Sequence, residues 1–265
     1  MKAYSIETYQ SLIKLALKRG YKFKSFLDAG KTFDHSIYLR HDVDYSLRIA
    51  TELAKINTSL GVQGTFFLLL RSQFYNLLNY TSLNCAQEIQ RLGQHVAIHY
   101  YLPSTFPVND DQIADQIQAD FEIVKRHLPG IQPVFSWHNP TPEIFNRSPD
   151  FNVPGLTSAY GAKFTKDIPY YSDSNMRHSV AQLEEVIGEK HHSALQLLLH
   201  PLIWVLGGKN MAEVLIEVWP YIVRESELEM RSNREWLRHV SDGIPSWILD
   251  NLVRNLHAAR RTNNP

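Results

Sequence analysis

Cysteine is almost absent from the sequence, and this excludes a disulfide framework. The single cysteine, Cys85, has no partner in the chain and no cysteine or histidine neighbour at structural-zinc spacing. Such usage is typical of a reducing compartment. The first residues include Glu7 and contain no continuous apolar stretch, so a secretory signal is not indicated. We therefore expect a cytoplasmic protein.

Net charge and long apolar runs are lacking as well. The 27 Lys and Arg residues balance 27 Asp and Glu residues, so no overall field attracts nucleic acid or an anionic membrane. The longest apolar segment, 194–206, is only about half of a membrane span, and it contains Gln196, His200 and Pro201. The sequence therefore predicts no nucleic-acid partner and no membrane span.

No internal repeat, low-complexity tract or linker rich in Gly, Ser and Pro divides the 265 residues. The composition that is present, with 44% hydrophobic and 20% charged residues, is that of an ordinary globular protein able to bury one core. We predict a single domain over residues 1–258 and a polar C-terminal tail over residues 259–265.

Short apolar runs alternate with longer segments of helical period, a pattern typical of βα units and a mainly parallel sheet. About seven strands are predicted, over residues 36–40, 64–70, 95–99, 133–136, 156–160, 169–172 and 195–199. Helices are predicted over residues 47–54, 85–92, 110–128, 179–187, 210–224 and 244–258. A parallel barrel and a doubly wound sheet both fit this α/β alternation.

Acidic and imidazole side chains follow five of the predicted strands. They are Asp42, Asp44, His99, His138, Asp173 and His200. Because the carboxyl ends of parallel strands converge on one face, we expect these separated segments to form one cleft. A single histidine of this kind is more often structural than a ligand, so the prediction rests on their joint placement.

Asp42 and Asp44 are two residues apart, so in an extended chain they point to the same face with Cα atoms about 7 Å apart. A divalent cation with mixed carboxylate and imidazole ligands lowers the pKa of a water and polarises a carbonyl. A second carboxylate can then take the proton. Two alternatives stay open: Asp44 caps the following helix, or Asp42 forms a salt bridge with Arg40 or another nearby cation.

The histidines divide into different predicted roles. His95 and His99 share a strand face but lie about 13 Å apart, so only His99, at the strand end, is a candidate ligand. His138 would complete an Asp/His/His set that leaves positions open for water and substrate. His200 suits a general acid with a pKa tuned by burial, and the alternative is a buried histidine satisfied by a backbone carbonyl.

Aromatic and polar side chains flank these positions and suit a carbohydrate, because rings stack on the apolar faces of sugars. We predict substrate contacts from Tyr101, Trp137, Asn139, Asp173, Ser174 and Trp204. Plain packing is the alternative for the aromatic residues. For residues 173–175 the alternatives are contacts that orient a metal-binding imidazole and an ordinary turn.

With these residues in place, the chain resembles the polysaccharide deacetylase (NodB-like) superfamily, in particular its divergent WbmS-like branch. The similar segments occur in the right order over roughly residues 5–240: Leu-Arg-His-Asp-Val-Asp (39–44), Gly-Thr-Phe-Phe (64–67), 92–100, Ser-Trp-His-Asn-Pro (136–140), Tyr-Ser-Asp-Ser-Asn (171–175) and Leu-Leu-His (198–200).

The resemblance implies a distorted (β/α)7 barrel and metal-dependent hydrolysis of an N-acyl, usually N-acetyl, group on a sugar. It implies Asp42 as the catalytic base and His200 as the general acid. The expected cofactor is one divalent ion, zinc first, with manganese, cobalt and nickel as alternatives. The expected substrate is a small amino sugar or sugar nucleotide of surface-polysaccharide (O-antigen or capsule) biosynthesis.

Two departures from the family pattern bear on activity. Val43 occupies the place of the family's metal-binding second aspartate, and Asp44 lies one residue beyond it. Only His99 remains of the two histidines in the family's histidine motif. Either Asp44 and His138 restore a three-ligand site, or the chain is a catalytically degenerate carbohydrate-binding protein on the same barrel.

Overall fold

The computed structural model describes residues 3–29, 35–102, 109–189, 192–240, 243 and 245–262. Its strands are β1 (Lys22–Phe23), β2 (Ser36–Val43), β3 (Thr65–Leu69), β4 (His95–Tyr101), β5 (Val134–His138), β6 (Thr157–Ser158), β7 (Tyr170–Ser172) and β8 (Ala194–Leu198). Its α-helices are α1 (Ile6–Lys18), α2 (Leu47–Ser59), α3 (Tyr80–Arg91), α4 (Asp110–His127), α5 (Pro142–Arg147), α6 (Ala162–Thr165), α7 (Val180–Glu189), α8 (Pro201–Leu206), α9 (Met211–Glu217), α10 (Trp219–Met230), α11 (Arg234–His239) and α12 (Ser246–Thr262).

The sheet has the strand order of a barrel. Its pairings are all parallel, in the order β6-β5-β4-β3-β2-β8-β7, with the short β1 also paired to β2. From β2, strands β3 to β6 follow in order on one side, and β8 and then β7 follow on the other. In the described part of the chain, β6 and β7 are therefore the two edges of the sheet, and the ring of strands is open between them. The prediction of a distorted (β/α)7 barrel is confirmed.

Side chains bridge the open side of the ring. The amide of Gln196 on β8 donates to the carbonyls of Ala159 and Phe164 at 3.1 and 3.0 Å. The rings of Tyr160 and Tyr170 lie 6.3 Å apart across the opening. These contacts hold the β6 and β7 edges together without backbone pairing.

The interior is filled with aromatic rings, and helices cover the outside. Phe26 packs on Phe67 and Phe164 at ring-centroid distances of 5.6 and 4.8 Å. Every residue of β2 and β3 is buried, as expected for strands of a parallel sheet with both faces covered. The apolar interior therefore leaves the carboxyl ends of the strands as the place for polar groups.

Several strands extend beyond their predicted carboxyl ends. β2 continues from 40 to Val43, β4 to Tyr101 and β5 to His138, so that acidic and imidazole residues expected in loops lie within the sheet. Parallel pairing with the neighbouring strand imposes this geometry, for example Asp42 opposite Phe67. β6 is shorter than predicted, with two residues in place of 156–160.

The helices differ from prediction in several places. The short helices α5, α6, α8 and α11 were not predicted, and the helix predicted over 210–224 is divided between α9 and α10. Helix α1 was not predicted, although Ser5 caps it and its buried residues recur at helical spacing: Tyr9, Leu12, Ile13 and Ala16. Helix α12 continues to Thr262, past the predicted helix end at 258, and residues 263–265 of the predicted tail lie outside the described residues. Among the described helices, none is both long and apolar enough to cross a membrane.

Candidate active site

The carboxyl ends of the strands open into a cleft of about 840 Å³. Its lining includes most of the residues predicted from the sequence: Asp42, Asp44, His99, Tyr101, Trp137, His138, Asn139, Ser174 and His200. They come from the ends of β2, β4, β5, β7 and β8, because a parallel barrel brings all these ends to one face. The structure therefore brings the separated segments together.

Three side chains converge at the floor of the cleft. Asp44 Oδ1 lies 3.1 Å from His138 Nδ1 and 3.3 Å from His99 Nε2, and the two nitrogens are 3.1 Å apart. Asp44 Oδ1 is buried, yet no donor of the described residues is aligned to hydrogen-bond with it. One oxygen and two imidazole nitrogens that face a common point fit the ligand set of a divalent cation.

Neighbouring groups orient the members of this cluster. His99 Nδ1 lies 2.7 Å from the Ser136 hydroxyl, which turns Nε2 toward Asp44. Metal-binding histidines typically use their second nitrogen in this way. Burial opposes ionisation of Asp44, but His138 and His99 outweigh it and hold the pKa of the carboxyl well below its ordinary value. Asp44 is therefore a carboxylate at neutral pH.

Asp42 lies beside this cluster and is paired with Arg40. The guanidinium donates through Nε and Nη2 to the two carboxylate oxygens at 2.7 and 2.6 Å, and both side chains are buried. Burial would raise the pKa of Asp42, but Arg40 and then His99 lower it overall. Asp42 Oδ2 is also 3.4 Å from His99 Nε2, so the salt bridge does not remove Asp42 from the site.

His200 approaches the cluster from β8. Its Nδ1 lies 2.5 Å from Asp173 Oδ1, while Nε2 is 3.8 Å from Asp44 Oδ2. Burial disfavours the imidazolium, but the charge of Asp173 and its hydrogen bond outweigh burial and raise the pKa of His200 to about 9. The partner of His200 is thus a carboxylate and not the backbone carbonyl considered as an alternative.

Two of the predicted substrate contacts are located elsewhere. Asp173 and Trp204 are fully buried behind His200 and do not line the cleft. Asp173 Oδ2 accepts from the backbone N–H of His200 at 2.8 Å and from Trp204 Nε1 at 2.7 Å. Their surroundings leave no surface for substrate, so we assign them to positioning His200.

The remaining predicted contacts lie at the cleft wall. Trp137 is only 2% exposed and packs on Phe151 at 5.0 Å between ring centroids, which favours the packing alternative for most of its ring. Tyr101 and Ser174 are partly exposed, and Asn139 is exposed. Asn139 has a φ of 45°, a left-handed conformation that asparagine tolerates, and it turns the chain after β5.

The alternative role of Asp44 as a helix cap is excluded by the geometry. Ser46 caps α2, and its hydroxyl accepts from the Ile49 N–H. His95 lies at the amino end of β4 and does not line the cleft, as expected from its distance along the strand.

Sequence reasoning missed two residues that support the site. Ser136 lies two residues before His138 and therefore on the same strand face, a signal that was available. His41 is fully buried on the opposite face of β2, where its Nδ1 lies 2.7 Å from the Leu199 carbonyl. That contact depends on the pairing of β2 with β8, which the sequence does not reveal.

No family model and no curated protein matches the chain. Solved structures do match. They include a CE4 family pseudoenzyme from Bacillus anthracis (18% identity, 71% of this chain and 60% of that chain, TM-score 0.43). A family 4 carbohydrate esterase from the same organism (15%, 81% and 86%, 0.41) and the chitin deacetylase of the fungus Colletotrichum lindemuthianum (13%, 69% and 80%, 0.42) also match. The chain spans about three fifths of the length of the pseudoenzyme. Because these identities and TM-scores are low, no residue role is transferred from these structures to the chain.

Proposed function

We propose that the chain is a metal-dependent hydrolase that removes an N-acyl group, typically N-acetyl, from an amino sugar or a nucleotide-linked sugar of surface-polysaccharide biosynthesis. One observation carries the proposal. Asp44, His99 and His138 converge on one point. An ionised Asp42 lies 3.4 Å from His99, and a protonated His200 lies 3.8 Å from Asp44.

The proposed metal ligands are Asp44, His99 and His138. A mixed oxygen and nitrogen set suits zinc and also manganese, cobalt or nickel. A divalent ion bound there supplies Lewis-acid polarisation of the acyl carbonyl and lowers the pKa of a water molecule.

Asp42 is the proposed general base. Its pKa is lowered, so it is ionised at neutral pH and able to take a proton from the attacking water at Oδ2, the oxygen that faces His99. Arg40 fixes the direction of the carboxylate through two hydrogen bonds. The water oxygen forms the new bond to the acyl carbon while the carbon–nitrogen bond breaks.

His200 is the proposed general acid. Its Nε2 faces the cluster and gives a proton to the departing amine, while Nδ1 stays hydrogen-bonded to Asp173. The two groups have pKa values moved in opposite directions, lowered for Asp42 and raised to about 9 for His200. Such a divergence is the pattern expected of a base and an acid that work together.

The first experiment measures metal content and acetate release. The purified protein should hold close to one divalent ion per chain and release acetate from at least one member of a panel of N-acetylated sugars and sugar nucleotides. Asp44→Asn and His99→Ala should lose the ion, whereas Asp150→Asn, an exposed carboxylate outside the cleft, should keep it. Full metal occupancy in both site variants would reject this ligand set.

The second experiment separates catalysis from metal binding. Asp42→Asn should keep the fold and the ion, because Asp42 is not one of the three proposed ligands. Turnover should fall by about 10² to 10⁴, the usual loss for a positioned base. Retained turnover would place the base elsewhere.

A second candidate function is a degenerate carbohydrate-binding protein on the same barrel. It is favoured by the salt bridge in which both oxygens of Asp42 already accept hydrogen bonds from Arg40. This candidate predicts sugar binding that a chelator does not change and no acetate release from any member of the panel.

A further inference from the structure

The cleft around the proposed acyl site carries arginine side chains on two sides. Arg71 follows β3 and Arg177 follows β7, and these strands lie on opposite sides of the β2–β8 pair. Among the described residues that line the cleft, the carboxylates are Asp42 and Asp44 alone, and both belong to the floor. The wall of the cleft therefore presents guanidinium groups and no carboxylate of its own, although the whole chain has no net charge.

A buried carboxylate holds Arg71 in place. Arg71 Nη1 is paired with Asp120 Oδ2, and the arginine side chain is 59% exposed whereas the aspartate is only 4% exposed. The other oxygen of Asp120, Oδ1, has no hydrogen-bond partner among the described residues. Such a pair contributes little to the stability of a fold. The buried carboxylate loses its solvation, and its attraction to a solvent-exposed guanidinium is too weak to offset that loss. Its effect is to fix a guanidinium at the cleft with most of its N–H groups left for a ligand.

The loop that carries Arg71 is also tied to the proposed metal ligands. The hydroxyl of Ser72 donates to the backbone carbonyl of Asp44 at 3.3 Å. The hydroxyl of Tyr75 donates to the carbonyl of Val43 at 2.8 Å. Arg71 therefore has a defined position relative to the acyl site and is not a freely moving surface side chain.

Arg177 occupies the opposite wall. It is exposed and forms no ion pair with any of the residues that the structure describes. The preceding turn places Asn175 and Met176 in the left-handed region, with φ of 52° and 54°, which residues other than glycine rarely adopt. Backbone strain of this kind is concentrated at binding sites.

We infer that the cleft binds an anionic sugar, in which a phosphate or carboxylate group remote from the acyl group contacts Arg71. Arg177, on the other wall, offers a second guanidinium to an anionic oxygen of the same sugar. A guanidinium presents paired N–H donors that match the oxygens of either group. The inference rests on the proposed function for the position of the acyl group. The anion contact itself is measured by binding alone.

The test compares the affinity of the metal-loaded protein for three sugars by calorimetry: N-acetylglucosamine, its 1-phosphate and an N-acetylated aminouronic acid. At least one anionic sugar should bind about tenfold or more tightly than the neutral one, and the advantage should shrink with added salt. The form that gains more identifies phosphate or carboxylate as the natural group. Binding is measured without turnover, so a failure of hydrolysis leaves this readout intact.

Arginine variants decide whether the cleft wall is responsible. Arg71→Ala should lose most of the anion preference and Asp120→Asn should weaken it, whereas Arg71→Lys should keep part of it. Arg91→Ala is the matched control, because Arg91 is 63% exposed and likewise paired with a carboxylate, Glu88. Equal affinity for all three sugars, no measurable binding at millimolar concentration, or a preference unchanged in the Arg71→Ala/Arg177→Ala double variant would each overturn the inference.

Discussion

Two histidines, one lining the cleft and one behind it, differ in the protonation state that the fold imposes. His41, on the outer face of β2, has a pKa lowered to about 4, because burial disfavours the imidazolium more than the hydrogen bond to the Leu199 carbonyl favours it. His200 faces the cleft with a side chain that is 16% exposed, and Asp173 raises its pKa to about 9 against the effect of burial. A charged carboxylate partner therefore outweighs burial where a neutral carbonyl does not, and this decides which imidazole carries a proton.

The two histidines are also physically connected. The carbonyl that accepts from His41 Nδ1 belongs to Leu199, the residue directly before His200. The neutral His41 thus fixes the backbone after β8 through this hydrogen bond, while the charged His200 faces the cleft. The structural imidazole of His41 therefore contacts the same backbone segment, 199–200, that carries the proposed catalytic imidazole of His200.

The largest effect on the difference between His41 and His200 is expected from Asp173→Asn, which removes the charged partner of His200. The amide can still accept from Trp204 Nε1 but no longer stabilises the imidazolium, so we expect turnover to fall by about 10² to 10⁴ while the metal stays bound. The alkaline limb of the pH–rate profile should move toward neutral pH. Asp167→Asn, an exposed aspartate outside the cleft, is the control and should change neither quantity. An unmoved alkaline limb would contradict the role given to Asp173.

How far this pairing was predictable depends on distance along the chain. Asp42 and Asp44 were expected to share a face because strand alternation is a local property. Asp173 and His200 are 27 residues apart and meet only because β7 pairs with β8. Both residues follow predicted strands, but the strand order cannot be read from the sequence, so a substrate contact and the orientation of an imidazole both stay open for Asp173.

The ends of the elements show the same limit. The prediction ended the strand of β2 at 40, where the sequence turns polar, yet the strand continues to Val43. Pairing of Arg40 with Thr65 and of Asp42 with Phe67 extends the sheet through these residues. Tertiary pairing overrides the local preference of polar residues for loops.

The neutral member of the histidine pair gives a prediction about acid stability. Above pH 6.5 both the folded and the unfolded chain leave His41 uncharged, so it has no effect. Between pH 6.5 and 4 His41 binds a proton in the unfolded chain but stays neutral in the folded chain. The free energy of unfolding should therefore fall by roughly 3 kcal/mol over this range. Urea unfolding at a series of pH values measures this fall.

His41→Asn provides the comparison, because acidic groups also titrate in this range and their contribution is common to both proteins. The variant should be less stable at neutral pH and should lose less stability on acidification. Parallel stability curves for the two proteins would show that His41 is not held neutral.

The smallest effect is expected from Ser136→Ala, which extends the comparison of histidine partners to His99. His99 uses a neutral hydroxyl as its Nδ1 partner, at 2.7 Å, where His200 uses a carboxylate. Loss of the hydroxyl removes the orientation of the ring but no charge, so we expect metal affinity to fall about 10- to 100-fold, as for other supporting groups of metal ligands. Competition with a chelator measures it. Ser148→Ala, a buried serine that bonds to the Ile144 carbonyl outside the cleft, should leave it unchanged. An unchanged affinity in Ser136→Ala would mean that contacts with Asp44 and His138 alone orient His99.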